Sequence, residues 1–237
     1  MKRTDKNSIN WPAGINRNNR LLFRNILKSI TKHLQLSKDI VIMCSGGLDS
    51  TVLAHATRLS AYQSGIDLNL YLLYVNHQLR PSENPGEVSH IYTLANELGA
   101  TPLIIDGALP EDYDNLQDIA RKIRYKSLSP NTVAFTAHHA NDQAETKLFQ
   151  FITGRKVTGI QEIISFNELS PKSVVIRPLL SFTKKDLRDV AEAWGWVWCE
   201  DSSNRTCKYT RNKLRNMIIP LIERDINPNA IKALAGA

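Results

Sequence analysis

The sequence has little cysteine: Cys44, Cys199 and Cys207 are the three among 237 residues, an odd number with no C-x-x-C pair. That excludes a disulfide framework and a paired-cysteine metal site, and it points to a reducing compartment. Long apolar runs are missing too. No stretch of about 18 apolar residues occurs, so no membrane-spanning helix is expected and no membrane partner. The first ten residues are polar and lack the apolar core of a secretion signal. A cytoplasmic protein is therefore expected, with a plastid as the alternative for an algal source. No repeat or low-complexity tract stands out. The phosphate-binding pattern G-x-x-x-x-G-K-S/T is absent, which excludes an ordinary P-loop NTPase. Acidic residues are outnumbered, 23 against 30 Lys and Arg, and the net charge of +7 points to an anionic partner.

What is present is an alternation of short apolar runs and helical patterns. The spacing predicts strands at 39–44, 68–75, 102–105, 132–136 and 173–176. It predicts helices at 20–33, 50–64, 83–98, 116–127, 142–152 and 184–194. Strands spaced by helices give an α/β fold, a Rossmann-like parallel sheet with helices on both faces. Ligands of such sheets bind at the carboxyl ends of the strands. Residues 1–18 read as a flexible polar extension, 19–180 as the α/β domain, and 181–237 as a small, basic helical appendage.

One motif stands above the rest. The strand ending at Met43 runs into Cys44-Ser45-Gly46-Gly47-Leu48-Asp49-Ser50-Thr51. Two glycines let the backbone turn tightly and approach a ligand. The N–H groups opening the next helix have no intrahelical partner and can face an anion. Hydroxyls of Ser45 and Ser50 add donors. A carboxylate beside phosphates is repelled by them, so Asp49 makes sense as the holder of a bridging Mg²⁺. The plainer reading is a strand–turn–helix corner, where Gly and Ser are common.

Further polar groups follow other strand ends. Val75-Asn76-His77-Gln78-Leu79-Arg80-Pro81 is one such exit. His138-His139-Ala-Asn-Asp142-Gln-Ala-Glu145-Thr146 is another, and Asp142 and Glu145 fall on one helical face. Such a pair can hold a cationic group or accept a proton from an amine. Helix capping by Asn141 or Asp142 is the plain alternative. Arg121 and Arg124 share a helix with Tyr125, and Arg211 and Arg215 share another near Tyr209; each also reads as a solvated basic face.

The ordered set S-G-G-x-D-S, V-N-H-x-L-R-P, A-R-x-x-R-Y, H-H-x-x-D-Q-A-E-T, R-P-L-L and E-D-x-S-N…Y-x-R-N-x-x-R resembles the tRNA(Ile)-lysidine synthetases, a branch of the PP-loop pyrophosphatases. The matching residues run from Ser45 to about Pro220. The resemblance implies ATP and Mg²⁺ as cofactors, and free L-lysine and a CAU-anticodon tRNA(Ile) as substrates. It implies adenylation of C2 of the wobble cytidine, then attack by the lysine amine, giving lysidine, AMP and diphosphate. By the same resemblance Ser45, Gly46, Gly47, Leu48, Asp49 and Ser50 bind ATP, with Asp49 on the metal. Arg121 or Arg124, with Arg211, faces the α-phosphate, and Asp142 and Glu145 grip the lysine amine. His138 and His139 orient the site, and Arg205, Lys208, Lys213 and Arg215 contact the tRNA. Two departures stand out. Asn141 replaces an additional Asp of many members, and a chain of this length has no room for the C-terminal tRNA-binding domains of larger members, so a minimal or shortened member is expected. A homodimer is left open. Other readings are a PP-loop tRNA 2-thiolase, an NAD or GMP synthetase-like ligase, and a non-catalytic RNA-binding remnant.

Overall fold

The computed structural model describes residues 9–76, 84–107, 116–166, 172–200 and 210–236. Six strands form one sheet: β1 (Asp39–Met43), β2 (Asn69–Asn76), β3 (Thr101–Asp106), β4 (Val133–Phe135), β5 (Ile163–Phe166) and β6 (Ser173–Ile176). Their order is β3-β2-β1-β4-β6-β5. All neighbours pair in parallel except β5, which runs antiparallel to β6.

Successive side chains of a strand leave opposite faces, and a parallel sheet under helices is apolar on both. Here Ile40, Ile42, Leu70, Leu72, Phe135 and Ile176 join the main core beneath four helices. These are α1 (Arg17–Thr31), α2 (Leu48–Ser64), α3 (Asn84–Leu98) and α6 (Lys184–Trp194). Val41, Met43, Leu73, Val75, Ala134 and Val175 turn the other way, where Ile123 and Tyr125 of α4 (Leu116–Lys126) and Leu128 cover them. The expected α/β architecture with helices on both faces is present.

α1 illustrates the local logic. Phe23, Ile26, Leu27 and Ile30 recur at helical spacing and are buried. Asn16 caps the helix, its side chain accepting from the Asn19 N–H at 2.8 Å. Burying Phe23 completely contributes about 2–3 kcal/mol.

Some sequence expectations are corrected. The sheet is not wholly parallel: the run Ile163-Ile-Ser-Phe166, read as no element, is an antiparallel edge strand. Four residues without a crossover helix carry too little pattern to stand out. α2 starts at Leu48 rather than residue 50, because Gly47 is its N-cap. α1 starts at Arg17 rather than residue 20. Within the expected flexible extension, Trp11 packs on Phe23 and Trp194; residues 1–8 lie outside the described ones. The expected boundary at residue 181 precedes α6, whose Leu187, Val190 and Ala191 belong to the main core.

The C-terminal segment holds α7 (Thr210–Lys213), a π-helical turn (Leu214–Ile218), α8 (Ile219–Asp225) and α9 (Ala230–Ala235). It packs on α5 (Ala140–Ile152), with Ile219, Ile231 and Ala235 against Ala140 and Ala144. This contact brings the basic C-terminal helices onto the helix that follows β4.

Candidate active site

Between β1 and β4 the strand order reverses, which is where ligands of such sheets bind. Two loops leave the sheet there. The first runs Cys44 to Gly47. Cys44 N–H still donates to Leu73 O at 2.8 Å, as the last rung of the ladder. Gly46 then takes φ +76°, a left-handed conformation that side chains disfavour. A Cβ at Gly46 would also stand 3.2 Å from the His90 ring. The buried Ser50 hydroxyl is the hub of the turn: it donates to Gly47 O at 3.0 Å and accepts from Ser45 N–H at 3.3 Å. Gly47 caps α2 without a side-chain partner, so the first N–H groups of the helix face outward from the turn. The segment after α6 closes over the loop, Cys199 N–H donating to Gly46 O at 2.9 Å.

The second loop, after β4, carries the histidines. Thr136 Oγ1 and His138 Nδ1 are 2.9 Å apart. His139 caps α5, and Asp142 Oδ2 accepts the His139 backbone N–H at 3.0 Å. The two loops meet here: His139 Nε2 lies 3.5 Å from Asp49 Oδ2 and its Nδ1 3.5 Å from Asp142 Oδ2. Burial works against charging His139, but the carboxylates of Asp142 and Asp49 outweigh it and hold its pKa above the ordinary 6.5. Its neighbour goes the other way. Burial pushes His138 down to about 4, aided by Arg177, Arg121 and Arg124 against the pull of Asp142. Burial alone would raise Asp142, but His139, His138, the His139 N–H and Arg215 together hold it below the usual carboxylate range.

Glu145, 2% exposed, is the deepest carboxylate among the described residues. Arg215 clasps it bidentately, Nε to Oε1 at 2.7 Å and a terminal nitrogen to Oε2 at 3.0 Å, and reaches Asp142 Oδ1 at 3.3 Å. Arg211 donates to Thr146 Oγ1 at 2.6 Å and lies 4.0 Å from Glu145. On the opposite side, Arg121 stacks over the Tyr125 ring at 5.3 Å. Behind it, Arg177 is fully buried, donating to Gln161 O at 2.6 Å and Tyr125 Oη at 3.4 Å. The crevice thus has the Ser45 turn on one side and the α5 cluster on the other, with Arg121 and Arg124 of α4 near His138.

Asp49 Oδ1 is buried and has no hydrogen-bond donor. A carboxylate oxygen left so is costly unless a cation takes it. Among the described residues, no group of three or more His, Cys, Asp or Glu forms a metal cage. One carboxylate completed by phosphate oxygens and water is the usual Mg²⁺ arrangement, so this donor set fits that ion.

A family model described as a PP-loop domain matches residues 19–222. The chain belongs to the PP-loop domain family. Curated relatives include the tRNA(Ile)-lysidine synthase of Coxiella burnetii, 35% identical over 84% of this chain and 44% of that protein. The enzyme of the same name from Enterococcus faecalis is 33% identical over 85% of this chain and 44% of its own length. The chain thus spans about half the length of the curated relatives it matches. Among solved structures, the U34-tRNA thiolase NcsA from Methanococcus maripaludis superposes with a TM-score of 0.68 at 18% identity, covering 92% of this chain and 78% of that one. At that identity the likeness shows a shared fold.

In this PP-loop chain the sequence-predicted residues fall into three groups. Ser45, Gly46, Gly47, Asp49 and Ser50 form the loop, and Leu48 supplies backbone while its side chain sits in the core. His138, His139, Asp142, Glu145, Arg211 and Arg215 gather at α5, and Lys213 is exposed beside them. Arg121 and Arg124 are on α4, both close enough to depress His138. Arg205 and Lys208 lie outside the described residues, as do residues 77–81 of the V-N-H-x-L-R-P block. Arg215, expected toward the tRNA, is engaged by Glu145 and Asp142. Of the two residues offered as caps, Asp142 does cap α5 by accepting the His139 N–H, whereas Asn141 accepts the Lys184 N–H at 2.8 Å and ties α5 to α6. Sequence reasoning read Arg177 only as the first residue of the R-P-L-L motif. Its signal was an arginine directly after the apolar strand Ser173-Val-Val-Ile176.

Proposed function

We propose that this chain carries the catalytic part of a tRNA(Ile)-lysidine synthetase, joining L-lysine to C2 of the wobble cytidine of a CAU-anticodon tRNA with conversion of ATP to AMP and diphosphate. The observation that carries it is the 3.5 Å contact of His139 with both Asp49 and Asp142, which sets an anion-binding turn against an acidic pocket. The names of the relatives support the same substrate.

The roles follow from charge. The free N–H groups at the start of α2 and the Ser45 hydroxyl hold the diphosphate half of ATP. Asp49 would hold Mg²⁺, which when bound neutralises phosphate charge. Arg121 or Arg124, with Arg211, stabilises charge on the α-phosphate as the cytosine oxygen attacks it and diphosphate leaves. Asp142 and Glu145 already hold one cation, Arg215, and their charge favours a lysine ammonium as well. That ammonium has a pKa near 10.4 in water, so it must lose a proton before its nitrogen can attack C2 and expel AMP. Arg215 and the histidines lower the basicity of the acidic pair, so its part is to hold the ammonium in place while the proton leaves to water.

The test is incubation of the chain with ATP, radiolabelled lysine and a CAU-anticodon tRNA transcript. The expected result is ATP-dependent label in the tRNA, with AMP and diphosphate released in equal amounts, and none with a GAU-anticodon transcript. Absence of label from the CAU transcript overturns the assignment.

A further inference from the structure

The charge of this chain is unevenly placed. α1 carries Arg17, Arg20, Arg24 and Lys28, all exposed, and no acidic residue. Each of the other helices of eight or more residues contains at least one Asp or Glu. The spacing of three, four and four puts all four cations on one exposed stripe, alongside the buried face of Phe23, Ile26, Leu27 and Ile30. Lys32, one step further, pairs with Glu162 at 2.6 Å and ends the run.

Two features set this stripe apart from an ordinary solvated face. Soluble surfaces normally intersperse both signs. Arg17 and Arg20 also crowd the positive end of the helix dipole, where acids are favoured, and the first turn holds no acid to compensate. A local rule broken without a stabilising return marks a functional surface. The second feature is Trp11. Arg20 and Arg24 lie over its ring at 5.8 and 5.6 Å, which holds two flexible guanidinium groups side by side.

The stripe also starts near the crevice. α1 ends at Thr31 and the chain turns back into β1 at Asp39, so the Arg17 end of the helix lies toward the end of β1 that enters the Ser45 loop. Trp11 contacts Trp194, and from there the chain runs to Cys199, which is bonded to Gly46.

We propose that the exposed face of α1 is a docking surface for the phosphate backbone of the tRNA substrate, outside the catalytic crevice. This rests on the tRNA reading above. Cations about 6 Å apart along a helix axis, three of them arginines that bind phosphate bidentately, match a polyanionic strand. Most of the apolar face of α1 is spent in the core, and the exposed Leu21 alone is too little to anchor the helix in lipid.

The test uses the full chain with Arg17, Arg20, Arg24 and Lys28 all changed to Gln, beside a variant with the three arginines changed to Lys. Binding of a CAU-anticodon tRNA and of an unrelated tRNA is measured across a salt series, with melting temperature and ATP affinity as controls. The Gln variant is expected to lose 10- to 100-fold in affinity for both tRNAs alike. The slope of log affinity against log salt should fall by about 3, since each of the four phosphate contacts contributes roughly 0.7–0.9. Melting and ATP affinity stay unchanged, and the Lys variant keeps most of the salt dependence. Equal affinity and slope for wild type and Gln variant overturn the proposal, as does a loss confined to binding of phosphatidylserine vesicles. Loss of tRNA affinity in a chain that never incorporates lysine supports this surface while sinking the lysidine reading.

Discussion

The two walls of the crevice are built on different plans. The Ser45 loop is local: seven consecutive residues turn on one glycine at φ +76° and one buried hydroxyl, with Cys199 as its long-range strap. The cluster at α5 is assembled from afar. Its central contact, Arg215 to Glu145, spans 70 residues of sequence. The loop offers backbone N–H groups to an anion, and the cluster offers carboxylates to a cation. Opposite specificities thus come from opposite construction. A fixed turn needs only short-range geometry, whereas buried carboxylates need a counter-charge brought in by packing of the C-terminal helices on α5.

The largest effect is expected where the two plans meet. Asp49→Asn keeps the size of the side chain and removes its charge. Lysine incorporation into CAU-anticodon tRNA should fall at least about 100-fold, as for loss of a group that stabilises transition-state charge. The melting temperature should fall only slightly, because Asp49 Oδ1 has no donor to lose and the loss is confined to the 3.5 Å contact of Oδ2 with His139. A variant that retains most of its turnover would detach the loop carboxylate from the chemistry and leave the comparison purely structural.

That contrast also explains what could be read in advance. The loop was legible because every group it needs lies between Cys44 and Thr51. The sheet was legible because the apolar runs of β1, β2 and β6 are bounded by breaks in pattern. Asp142 and Glu145 were legible as one helical face. The Arg215 clasp was not: a basic residue at helical spacing looks the same whether it faces solvent, RNA or a carboxylate 70 residues away. The same blindness hid Arg177, whose partners Gln161 and Tyr125 come from two other segments.

Breaking the clasp is the second test. Glu145→Gln leaves the Arg215 guanidinium half-buried without its bidentate partner. Because Arg215 retains some solvent, the cost should be about 2 kcal/mol, below the 3–5 kcal/mol of a fully buried pair. Equilibrium denaturation measures it. Arg215→Met in the Glu145→Gln background should recover part of the loss, since both charges are then gone. Additive losses in the double variant would show that the two residues act independently and that the cluster is not held by this contact.

The smallest effect separates the paired histidines. His139 has its pKa raised above 6.5, so its charged form contributes stability that is fully present below pH 6.5 and is lost as pH rises through the folded value. His138, pushed down to about 4, resists charging and destabilises the fold as pH falls from 6.5 toward 4. Two adjacent residues therefore tilt the stability curve in opposite directions on the two sides of pH 6.5: His139 erodes stability as pH rises above it and His138 as pH falls below it, the latter with Asp142 still ionised until pH falls beneath the usual carboxylate range. His139→Gln should flatten the fall above pH 6.5 and leave the acid side intact, and His138→Gln should do the reverse. Histidine ring resonances followed by NMR across pH 3.5–8.5 check the order directly. If both titrate together near 6.5, the Asp49–His139–Asp142 bridge is too weak to join the loop to the cluster, and the two walls of the crevice are electrostatically separate.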